Sequence, residues 1–214
     1  MKTEDLINQL SSNLKPVKAQ CSPGLFTLQL FIFSFFFIGF GLAILHLRSD
    51  LKNQLADHLF LTEILISIAL MVSGGLLIGW TTSPGRHHGV IYKLATFFTF
   101  LILLIVNSYR LSLSSIPLSK SPVSILDIKC FITVITYSVT SAIILFLVVK
   151  NRVVTSPTSL GAMIGIVSMA TGLVAISFHC KNLDFIHISI YHFILPAFIS
   201  ATVGAYTGKH FLRW

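Results

Sequence analysis

Six apolar runs, each near the length that crosses a bilayer, constrain this chain more than any other feature. They fall at about 25–47, 60–80, 90–109, 130–149, 158–178 and 186–206. A hydrocarbon core about 30 Å thick needs about 20 residues of helix. Only 10% of the residues are charged, and 18 are Phe. Soluble domains carry about 25% charged residues, so the chain reads as an integral membrane protein. The expected fold class is all-α, a polytopic membrane bundle of six transmembrane helices with both termini in the cytoplasm. The expected division is a segment 1–22 followed by a transmembrane domain 23–214.

The pieces between the runs are short and polar, and Pro84, Pro117, Pro122 and Pro157 mark them as loops. Trp80, Tyr92, Tyr109 and Trp214 stand near helix ends, where amphipathic rings favour the headgroup zone. The first 22 residues hold acids and amides. The first apolar run is too long for a signal-peptide core, and no small-residue cleavage site follows it. It reads as a retained helix.

Orientation follows from the Lys/Arg bias of the loops. With the N-terminus inside, Lys2, Lys15, Lys18, Arg86, Lys93, Lys150, Arg152, Lys209 and Arg213 are cytoplasmic, nine in all. Arg48, Lys52, Arg110, Lys120, Lys129 and Lys181, six in all, are outside. The net charge of +8 is then a topology signal. No Lys/Arg-rich run points to direct nucleic-acid binding.

Ahead of the first span lies MKTEDLINQLSSNLKPVK. Thr3 is a fitting N-cap, and Glu4 and Asp5 suit the positive end of a helix dipole. Leu6, Ile7, Leu10 and Leu14 recur at helical spacing, and Pro16 ends the pattern. A short amphipathic helix results. It either rests on the inner leaflet or fills a groove on a cytosolic partner.

The outer face gathers the chemistry. Cys130 opens helix four, Cys180 ends helix five, and the two share a membrane depth. There is no CxxC spacing, and the third cysteine, Cys21, is cytoplasmic. A disulfide in an oxidising compartment, thiolate ligation of a soft metal with imidazole help and inert buried thiols all fit this pair. His179 adjoins Cys180. His192 lies within helix six, where an ionisable group is expensive without a partner. Pro196 deprives the His192 carbonyl of its helical donor, which predicts that His192 faces the bundle interior. There it serves as a hydrogen-bonding group or as a ligand. His187 is five residues from His192, on a different helical face, and reads as an interfacial residue. Glu63 either joins the cluster or snorkels. His87 and His88, beside Arg86, read as a headgroup-facing patch.

Small residues predict close helix contacts. Gly75 and Gly79, Gly161 and Gly165, and Ser200, Gly204 and Gly208 each stand four apart. Such stripes let backbones approach in lipid.

No GxSxG, HExxH or Gly-rich phosphate loop is present, so the chain does not read as an enzyme. No cofactor is required, and a transient soft-metal ion at Cys130, Cys180, His179 and His192 is the one candidate. A rival class is an electron-transfer protein with haem between His46 and His192. A small transporter is a third, weakened by the scarcity of polar residues in the spans.

A family resemblance joins these features. TEDLI near the start, Pro16-Val17 before the first span, Cys130 opening helix four, HC at 179–180, YHFILP at 191–196 and a terminal LRW resemble the NrsF-type anti-sigma factors. The resemblance runs the length of the chain. It implies a bacterial inner-membrane regulator that holds an extracytoplasmic-function sigma factor inactive on the cytoplasmic side and releases it on a periplasmic signal. It also implies that Cys130 and Cys180 correspond to the family's signal-responsive pair. Tyr191 stands where the family usually has Trp. With a sigma factor as partner, the stripe Leu6, Ile7, Leu10 and Leu14 becomes the expected docking surface.

Overall fold

The structure is a computed structural model. It describes residues 22–45, 47–83, 89–113, 125–152, 154–180 and 185–212. The N-terminal stripe Leu6, Ile7, Leu10 and Leu14 lies outside the described residues, as do Cys21, His46, His87 and His88.

The described residues are mostly helical, with no strand among them. Helix α1 is Pro23–Leu45, and a single turn α2, Leu51–Gln54, follows it. Then come α3 (His58–Thr81), α4 (Gly89–Ser112), α5 (Ile125–Val149) and α6 (Pro157–His179). The last span begins as the turn α7 (Phe185–His187), widens into a π-helix (Ile188–Ile194) and continues as α8 (Leu195–Phe211). Six helices are long and apolar enough to cross a membrane. Each expected run matches one of them, with ends shifted by a few residues.

Local chemistry sets the ends. Asp57 caps α3 by accepting from the Leu59 N–H at 3.1 Å, and Pro157 occupies the first turn of α6, where its missing N–H costs nothing. In lipid a hydroxyl without a partner is costly. Thr96, Thr136, Thr140, Thr202 and Thr207 each donate to the carbonyl four residues back, all at 2.8 Å.

Helix α6 is the hub. It is the most buried of the six spans, and it packs on α8, α5, α3 and α1. Helix α4 is its opposite, a peripheral span packed on α3 and the π-helix. Its buried stripe is short, Leu103, Asn107 and Arg110. The small-residue stripes of α6 and α8 meet each other. A methyl group on Gly161 would strike the Gly204 carbonyl oxygen, and one on Gly165 would strike that of Ser200. Pro157, Gly161 and Gly208 close the same seam. On α3, Gly75 faces Thr27 and Gly74 faces Val167.

Candidate functional site

At one end of the bundle, Cys130 comes from the start of α5, Cys180 follows the last turn of α6, and His187 and His192 come from α7 and the π-helix. All four are buried. The two sulfurs are 3.0 Å apart as thiols. His187 Nε2 lies 3.6 Å from Cys180 Sγ. The imidazole rings of His187 and His192 meet edge to face, with centroids 4.7 Å apart. The four potential donor atoms lie within 4.8 Å of one another. Val134 and Ile176 complete an apolar floor around the two cysteines.

The π-helix builds this arrangement. In an α-helix, residues five apart point roughly 140° away from each other. A π-helix bonds i to i+5, which stacks residues five apart. Its signature here is the Leu195 N–H bonded to the Ile190 carbonyl. His187 and His192 therefore share a face, contrary to the expectation from α-helical spacing. The widened segment ends at Ile194, two residues before Pro196, whose missing N–H would disturb a regular ladder. His192 is buried as expected. His179 is half-buried and stands outside the four-donor group, so His187 takes the place that sequence reasoning gave it.

A buried ion pair adjoins the cluster. Arg110 near the end of α4 donates through Nη1 to Glu63 Oε2 near the start of α3, and both side chains are buried. Ser189 in the π-helix donates to the Asn107 carbonyl at 3.0 Å, which ties α4 to the histidine segment. A second pair, Arg48 with Asp50, is bidentate at 2.8 Å for both bonds. The Arg48 N–H also bonds the Phe178 carbonyl at 3.1 Å, joining the end of α1 to the end of α6. Sequence reading placed Arg110 among the loop cations. The signal that finds it is the i, i+4, i+7 stripe of Leu103, Asn107 and Arg110 on an otherwise lipid-facing helix.

The surroundings of Cys180 make its thiol more acidic. Its pKa lies below the usual thiol range, chiefly because the Cys130 thiol hydrogen-bonds it, with His187 and His192 adding to the effect against the opposing cost of burial. Two sulfurs and two imidazoles are the donor set of tetrahedral sites for zinc and softer ions. The same two sulfurs at contact distance also suit reversible oxidation.

A family model described as negative regulator of sigma F, NrsF, matches residues 10–214. The chain belongs to the NrsF family. That match takes in all four residues of the cluster and every described helix. The family description makes this NrsF chain a negative regulator with a sigma factor as its partner. No curated protein and no solved structure matches the chain.

Proposed function

We propose that this NrsF protein is an inner-membrane anti-sigma factor that holds an extracytoplasmic-function sigma factor at the cytoplasmic face. A periplasmic signal, metal ligation or oxidation at Cys130 and Cys180, releases it. The observation that carries this reading is the meeting of the two thiols, 3.0 Å apart, at one end of the bundle. Family membership supplies the sigma-factor partner. The Lys/Arg bias of nine against six supports the orientation with the thiols outside.

The docking surface in this reading is the N-terminal stripe Leu6, Ile7, Leu10 and Leu14, helped by inner loops. About 14 residues of helix are marginal in water alone, so the segment orders on its partner. A metal held at the thiols draws its donors from Cys130, Cys180, His187 and His192, and the expected helper His179 is not among them. The signal acts by favouring one arrangement of the bundle, because a ligand with equal affinity for two states shifts neither.

The test is a sigma-dependent reporter strain carrying a Cys130→Ser/Cys180→Ser double variant. Induction by soft metals and oxidants is expected to vanish while basal repression persists. Unchanged induction would sink the sensing role. Leu10→Asp with Leu14→Asp is expected to free the sigma factor without any signal, with the protein still in the membrane. Persistent repression would place the docking surface elsewhere.

A further inference from the structure

Beside the thiol cluster lies a polar cavity of about 170 Å³, room for several water-sized molecules. Its wall runs from Asp57, exposed at the start of α3, inward past Glu63 and Arg110 to Cys180 and His192. The cavity touches Cys180 and not Cys130. Two of its lining residues carry buried polar atoms with no hydrogen-bond partner, Arg110 Nε and His192 Nε2. A buried donor without a partner is costly. A small polar guest with acceptor oxygens satisfies Arg110 Nε at once.

From this asymmetry we infer that the thiols form an ordered two-step oxidation centre for a small hydroperoxide. Cys180 reacts first, and Cys130 resolves the product. The guest enters beside Asp57 and rests its oxygens against Arg110 Nε. The Cys180 sulfur attacks one peroxide oxygen and the O–O bond breaks. The Cys180 thiol proton leaves on the alcohol, or on water when the peroxide is hydrogen peroxide. Cys180 is then a sulfenic acid, oxidised by two electrons, and the peroxide is reduced by two. In the second step the Cys130 sulfur attacks the Cys180 sulfur. A disulfide forms and one water leaves, taking the sulfenic oxygen and the Cys130 proton. Cys130 needs no access to the cavity for this, because its sulfur already lies 3.0 Å from that of Cys180. A positive donor beside the peroxide stabilises the charge that develops on the leaving oxygen.

The inference deepens the redox branch of the proposed function, and its chemistry is measured without a sigma factor. The experiment uses the full chain in membranes, with Cys21→Ser as background, hydrogen peroxide as oxidant and dimedone as the sulfenic-acid trap. With Cys130→Ser added, an adduct is expected at Cys180. With Cys180→Ser instead, adduct at Cys130 is expected to form more slowly by roughly tenfold or more. Faster or equal trapping at Cys130, or no adduct in either variant, would overturn the order. Native protein gives a reading that does not depend on either cysteine variant folding. Excess peroxide is expected to leave sulfinic acid at Cys180 ahead of Cys130, and the reverse order overturns the inference. Replacing the ion pair together, Glu63→Gln with Arg110→Gln, leaves no lone buried charge and is expected to slow oxidation of Cys180 by roughly tenfold. An unchanged rate removes Arg110 from the step. Ordered oxidation without reporter induction would leave this chemistry standing and overturn the sigma-release reading instead.

Discussion

Helices α6 and α8, with the π-helix that leads into α8, meet at both ends, and the two meetings are made of opposite materials. At one end, Gly161 and Gly165 of α6 lie against Ser200, Gly204 and Gly208 of α8, backbone on backbone. At the other, Cys180 at the end of α6 faces His187 and His192 through side-chain sulfur and nitrogen. In lipid, apolar side chains gain little by exchanging lipid for protein, so close approach and hydrogen bonds hold helices together. The glycine end uses the first means and the thiol end the second. Backbone contact leaves nothing to adjust. A cluster of side chains can be oxidised, ligated or repacked. The comparison therefore assigns one end as a fixed seam and the other as the place where chemistry changes the structure.

The largest effect is expected at the polar end. Glu63→Gln alone leaves the Arg110 charge buried without its counterion and should cost about 3–5 kcal/mol, seen as a large fall in thermal stability in detergent. Pairing Glu63→Leu with Arg110→Met should recover most of that loss. Failure of the double variant to recover would show that the pair does more than neutralise charge. The next effect tests the seam. Gly165→Ala places a methyl group on the Ser200 carbonyl and should cost about 1–3 kcal/mol through overpacking. A neutral result would mean that α6 and α8 can separate cheaply, against the fixed-seam assignment. Smaller again is Ser189→Ala, which removes the bond to the Asn107 carbonyl and should cost about 0.6 kcal/mol. Its sharper readout is faster amide exchange near Asn107 at the end of α4. The smallest is Tyr137→Phe. The Tyr137 hydroxyl is buried without a hydrogen-bond partner, so its removal should leave stability unchanged or raise it slightly. A clear loss would reveal a bound water at that hydroxyl.

The sequence exposed much of the scaffold and less of the site, for physical reasons. A bilayer imposes a length on every apolar run, so six spans could be read directly. Small residues four apart on α6 and α8 advertised a seam, although spacing alone did not say that the two stripes would meet. Shared membrane depth brought Cys130 and Cys180 together correctly, because depth is a one-dimensional coordinate that a sequence carries. Rotation about a helix axis is another coordinate, and it depends on the hydrogen-bond pattern. The π-helix changed that pattern, which is why His187 was assigned to a different face; His179 was named a helper because it adjoins Cys180 in sequence, and it stands outside the four-donor group. The Glu63–Arg110 pair escaped for a related reason. Arg110 closes an apolar span, where snorkelling is the default, and only the inward stripe through Asn107 betrays it.

The wide turn has a consequence for how the site is spelled. One residue removed just after His192, at 193 or 194, would leave both thiols and both imidazoles in the chain. The composition and hydropathy of the span would hardly change. Yet an ordinary helix over that stretch would hold the two imidazoles five residues apart and roughly 140° from one another, so that only one of them could face Cys180. The cluster is thus encoded by a count of residues as much as by their identities, and a comparison that scores letters alone can keep every ligand and lose the site.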